Sequence, residues 1–132
     1  MFTDELTATG DTLEAVARDW EPGSDSEEVM AELGRIRRCT DVLTARALQH
    51  IADTQSFVVH GDRSAAEFCG RVLGVGSDEA KRVLATANRL ESLPETEAAF
   101  RAGQLSAQQV ALIAETAVRN PALETELLEH AG

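Results

Sequence analysis

The stretch Ser64-Ala-Ala-Glu67-Phe68-Cys-Gly-Arg-Val-Leu73, Gly74-Val75-Gly76, Ser77-Asp-Glu-Ala80-Lys-Arg-Val-Leu84-Ala-Thr-Ala87-Asn-Arg-Leu90 decides how this chain folds. Ser64 and Glu67 have the spacing of a capping box, which predicts a helix start there. Ala65, Phe68, Cys69 and Val72 recur at helical steps and form its apolar face. Gly74 can take the left-handed conformation that ends a helix, and Ser77 is predicted to cap the next. That second helix is expected to bury Ala80, Val83, Leu84, Ala87 and Leu90. Two short helices joined by a glycine turn make a helix-turn-helix-like corner.

The flanking sequence is also helical in period. Leu6, Leu13, Val16, Ala17 and Trp20 share one face of a first helix, which Pro22-Gly23 ends. Ser26 is predicted to cap a second helix, with Glu27 and Glu28 suited to its positive end. Val29, Leu33, Ile36, Thr40, Leu43, Ala47 and Ile51 then form a stripe about seven turns long, roughly 40 Å. Such a stripe suits a bundle core or a coiled-coil seam. Residues 56–63 lack helical period and read as a connection. Pro94 fits the first turn of a short helix through Phe100, ended by Gly103. Ser106-Ala-Gln-Gln109 is a second capping box, opening a helix with Val110, Ile113, Ala114 and Ala117 on one face. Asn120-Pro121 reads as cap and first turn of a last helix carrying Leu123, Leu127 and Leu128. The expected fold is all-α, with six to seven helices and one long helix packed by shorter ones, in a single helical domain over residues 1–132.

A chain of 132 residues can bury roughly two-thirds of its unfolded surface without disulfide or metal staples. Cys39 and Cys69 fall inside predicted helices and read as small core residues in a reducing compartment. With no signal peptide and no apolar run long enough to span a bilayer, the expectation is a cytoplasmic protein without a membrane partner. The net charge of −11 is unevenly spread. Residues 1–28 carry −8, residues 29–94 carry +1 and residues 95–132 carry −4. Acidic flanks repel phosphate, which disfavours non-specific nucleic-acid binding by the isolated chain.

The corner has the layout in which a second helix presents its N-terminal residues to DNA bases. Those residues are Asp78 and Glu79, followed by Lys81 and Arg82, and two leading acids are unfavourable near phosphate. Charge therefore favours a structural corner over a base-reading one. Arg35, Arg37, Arg38 and Arg46 cluster on the long helix and are expected to form internal salt bridges with the surrounding acids. His50, His60 and His130 are scattered, and no Cys or His pair has zinc-site spacing. His50 and Asp53 lack a nucleophile, and Gly70, Gly74 and Gly76 lack the strand-to-helix setting of a phosphate loop. The expectation is a chain with no catalytic site, metal or cofactor.

Gly61-Asp-Arg-Ser-Ala-Ala-Glu-Phe68, Leu73-Gly-Val75, Ala80-Lys-Arg-Val-Leu84 and Ala87-Asn-Arg-Leu90 follow one another in a recognisable order. Leu93-Pro94, Ala99-Phe-Arg-Ala-Gly-Gln-Leu-Ser106 and Val110-Ala-Leu-Ile113 continue it. Together they resemble the domain of unknown function 222 family, an actinobacterial group that includes the mycobacterial thirteen-E-twelve repeat proteins. Its members read G-x-R-S-x-A-x-W-L, then L-G-L-S, A-x-x-L, L-P and A-x-x-x-G-x-L-S, and the likeness spans about residues 30 to 118. Phe68-Cys69 replaces the family's frequent Trp-Leu. Many members carry a C-terminal HNH nuclease module with paired cysteines and histidines, which residues 1–132 do not contain. The resemblance thus implies the N-terminal helical domain of a longer, HNH-endonuclease-like protein.

The functional expectation is a non-catalytic accessory domain that assists DNA association or pairs two nuclease modules. Arg63, Lys81, Arg82 and Arg89 are the expected phosphate contacts. The alternative is a protein-interaction or homodimerisation module that uses the long helix and touches no DNA. An intact enzyme is the third reading.

Overall fold

The structure is a computed structural model that describes residues 1–131, apart from the Pro121 side chain. The described residues form seven α-helices and two short 3-10 turns, without strands. The helices are α1 (Phe2–Asp19), α2 (Ser26–Thr54), α3 (Ala65–Leu73), α4 (Ser77–Leu90), α5 (Pro94–Arg101), α6 (Ala107–Ala117) and α7 (Glu124–Ala131). The chain divides into two compact units, Met1–Glu32 and Leu33–Gly132.

In the first unit α1 has no buried residue. The turn after it is closed by side chains, because the Trp20 indole N–H donates to the Asp25 carboxylate at 3.2 Å. Ser26 does not act as the expected cap. It lies in the first turn of α2, and its hydroxyl donates back to the Gly23 carbonyl at 2.8 Å.

The second unit has two cores. Leu48, Ala65, Ala66, Cys69 and Ala80 form one, where α2, α3 and the start of α4 meet. Val42, Ala45, Ala87, Leu90, Leu93, Phe100 and the buried face of α6 form the other. α4 contributes to both, so it is the helix on which the unit is assembled. The buried positions of α2 are Val42, Ala45 and Leu48. This corrects the expected stripe, since Thr40, Leu43 and Ala47 are exposed. α3 and α4 pack on a different side of α2 from that stripe, roughly 160° around the helix, so Val42, Ala45 and Leu48 are inside. For the same reason Ala66 is buried in α3, whereas Val72, expected inside, is 58 % exposed. Cys39, also expected in the core, is exposed, while Cys69 is buried.

Local chemistry sets the helix ends. Ser64 Oγ accepts the Glu67 amide at 3.0 Å, and Gly74 adopts φ +70° at the end of α3. Gly70 is needed for a different reason. The chain returns over the last turn of α3 so closely that a Cβ there would lie 2.9 Å from the Val75 carbonyl oxygen. Ser77 is the first helical residue of α4 and not its cap; that position belongs to Gly76, which has no side chain to offer. Asp78 and Glu79 in the first turn suit the exposed amides there. Ser106 and Gln109 exchange both bonds of a complete capping box. Asn120-Pro121 leads into a 3-10 turn before α7 begins.

Two polar side chains of α2 hold the turn between α5 and α6. The Arg38 guanidinium donates to the Gly103 carbonyl at 2.8 Å, just beyond the C-terminal end of α5. One helical turn later the Asp41 carboxylate accepts the Ala107 amide at 3.3 Å, at the first residue of α6. A cation thus meets a negative helix end and an anion a positive one. Part of the expected salt-bridge cluster therefore works as a brace for this turn. Among the described residues no helix is long and apolar enough to cross a membrane.

Candidate nucleic-acid interface

α4 is covered by α3 on one side and by α6 on the other, which leaves one free stripe. Lys81, Arg82, Ala85 and Arg89 follow along it at helical steps; Lys81 and Arg82 are exposed and Arg89 is half-buried. Arg89 stands seven residues past Arg82, about 10 Å along the axis and on the same face. Arg63 is exposed in the connection ahead of α3, off that helix. The structure therefore collects three of the four expected contacts on one helix face and leaves the fourth on a neighbouring segment.

Several cations of the chain are used inside the fold. Arg18, Arg71 and Arg101 pair with Asp19, Asp62 and Glu97, and Arg38 is committed to a carbonyl. Among the described residues Arg63, Lys81, Arg82 and Arg89 make no ion pair. They are free to meet an external anion. The leading end of α4 still presents Asp78 and Glu79, both exposed. The stripe thus suits contact with backbone phosphates through its middle and C-terminal part, not the reading of bases by its first turn.

The corner is tied to the connection before it by a contact that the sequence reading missed. Arg71 holds Asp62 in a two-pronged bond, Nη2 to Oδ2 at 2.8 Å and Nε to Oδ1 at 3.3 Å. Its guanidinium carbon also stands 5.4 Å from the centre of the Phe68 ring, and the His60 ring lies 5.2 Å from the same ring. The only available signal was the opposite charge of two residues nine positions apart. The bond to Arg71 holds the Asp62 carboxyl below its ordinary value of 3.8, against the opposing effect of burial, with the charges of Arg71 and His60 adding to the lowering. The pair stabilises the fold fully above the unfolded carboxyl range, and that stability is lost as pH falls through the lowered folded value. Chemical denaturation of the protein and of Asp62→Asn should therefore differ at pH 7, with the gap closing only as pH falls below about 4 through the lowered folded value.

Cys69 is an unreactive thiol in this setting, because burial, helped by the charge of Glu79, pushes its pKa up. Among the described residues no group of three or more His, Cys, Asp or Glu is placed to hold a metal ion.

The profile of a family described as "Domain of unknown function (DUF222)" matches residues 27–125. No curated protein and no solved structure matches the chain. The matched span runs from the first turn of α2 to the start of α7, so it takes in the α3–α4 corner and the free stripe of α4.

Proposed function

The chain belongs to the domain of unknown function (DUF222) family, and on that premise we propose that it is a non-catalytic helical accessory domain working beside an HNH-type nuclease module. Its role in this reading is to hold DNA by the phosphate backbone while the nuclease module acts. The observation that carries the proposal is the free stripe of α4, on which Lys81, Arg82 and Arg89 share one face without carboxylate partners.

The test is binding of a short DNA duplex, followed by fluorescence anisotropy across a salt series. Three or four phosphate contacts should give a log–log slope of about −3 to −4. Each of Lys81→Ala, Arg82→Ala and Arg89→Ala should reduce that slope by about 1. Absence of salt-sensitive binding at low ionic strength would overturn the proposal. A chain that ignores DNA but sediments as a dimer would return the reading to an interaction module. In that case the exposed apolar groove between α2 and α3, lined by Leu43, Ala47, Val72 and Leu73, becomes the surface to mutate.

A further inference from the structure

A cleft of about 570 Å³ opens between α2, α4 and α6. Its volume falls in the range of sites that enclose small organic molecules. Phe100 and Val110 line it, both buried, and Val83 adds to the apolar surface. Arg37 from α2, Glu79 and Arg82 from α4 and Glu115 from α6 stand around it. Asp41 lines it as well, but its carboxylate already accepts the Ala107 amide. Among the described residues the other four charged groups form no ion pair, although they border one cavity and carry both signs. The cleft is what lies between them.

One more group has no partner. Thr86 is 7 % exposed and lines the same cleft, and its hydroxyl makes no hydrogen bond. A threonine inside a helix commonly donates to the carbonyl four residues back, as Thr116 does to Leu112 at 3.2 Å. A buried hydroxyl without a partner is costly unless something supplies one.

We infer that this cleft binds a zwitterionic small molecule with an apolar body, of the size and polarity of a dipeptide. A purely anionic ligand would meet Glu79 and Glu115 unpaired, and a purely cationic one would meet Arg37 and Arg82. A ligand that carries both signs can set its carboxylate against Arg37 or Arg82 and its ammonium against Glu79 or Glu115. Its apolar side chains lie against Val83 and the exposed edge of Phe100, and its amide meets the Thr86 hydroxyl, which can donate or accept. The site is separate from the proposed DNA contact except at Arg82, and its test contains no DNA, so either reading can fail alone.

The full chain would be titrated with leucyl-phenylalanine, with its N-acetylated form and with its C-terminal amide, following backbone amide shifts by NMR. The free dipeptide should shift amides of α4 around Thr86 and of α6 around Ala111, and should saturate. Each blocked form should bind about tenfold more weakly, because one charged hydrogen-bonding group is lost. Thr86→Val removes an unpaired buried hydroxyl and has no bond to lose in the free protein, so it should keep or raise the thermal midpoint, yet bind the dipeptide about threefold or more weakly. Glu115→Gln should narrow the gap between the dipeptide and its N-acetylated form. No saturating shift in the cleft up to the millimolar range, or equal binding of the three forms, overturns the inference.

Discussion

Replacing Glu124 by leucine is expected to destabilise the protein by about 2–6 kcal/mol, whereas glutamine at the same position should cost about 1 kcal/mol. The reason lies at the first turn of α5. That helix opens at Leu93-Pro94, and a leucine at the cap position has no oxygen to offer the free amides. The missing acceptor comes from another helix. Glu124 Oε1 receives the Thr96 amide at 2.6 Å and the Thr96 hydroxyl at 3.0 Å. Thr96 is fully buried and Glu124 is 7 % exposed, so no water replaces the carboxylate when it is removed. Two donors are then stranded, each costing about 1–3 kcal/mol. Glutamine keeps one acceptor oxygen and loses only the added strength of the charge. The arrangement is crosswise, since Thr125 in the first turn of α7 donates to Glu95 in the first turn of α5 at 2.7 Å. Urea denaturation of the two variants measures the difference. Equal and small losses would mean that α7 does not cap α5 in solution.

The second large effect concerns two leucines on α2. Leu48→Ala is expected to cost about 2–5 kcal/mol and Leu43→Ala about 1 kcal/mol or less. Leu48 is 2 % exposed and packs against Ala65, Ala66, Cys69 and Ala80. Deleting its side chain leaves a cavity among small residues that have no side-chain length with which to refill it. Leu43 is 46 % exposed, so truncation removes fewer contacts and opens no enclosed void. The order of the two effects is the reverse of what periodicity alone predicts, because Leu43 lies on the apolar stripe and Leu48 does not. Denaturation midpoints for the pair report directly which face of α2 is covered. A larger loss at Leu43 would restore the periodic stripe as the packed face.

That reversal shows how far a local pattern reaches. On α2, leucine, valine, isoleucine and alanine occur on more than one face, and a 3.6-residue period finds an apolar stripe without saying which neighbours will cover it. On α6 the pattern was unambiguous, and Val110, Ile113, Ala114 and Ala117 are all buried as expected. The candidate cations divide in the same way. Lys81, Arg82 and Arg89 were readable as one helix face from spacing alone. Their freedom from partners depended on where Asp62, Glu97 and the Gly103 carbonyl came to lie. Thr86 left a readable trace, a polar residue three positions after Val83 and four before Leu90 on an apolar face. Nothing in the sequence marked it as unpartnered.

Helix existence, most helix ends and the glycine corner follow from residues within about four positions of one another, because caps and turns are bonds between near neighbours. Ser64 with Glu67, Gly74 and the Ser106–Gln109 box belong to that class, and they hold in the folded chain. The contacts that give the second unit its shape join residues much farther apart. Thr96 and Glu124 are 28 positions apart, Arg38 and Gly103 65, and Asp41 and Ala107 66. Each depends on how whole helices pack, and so do the cleft between α2, α4 and α6 and the side of α4 left bare. Local chemistry makes the helices, and packing decides which of their polar groups are used inside the fold and which are left to meet something else.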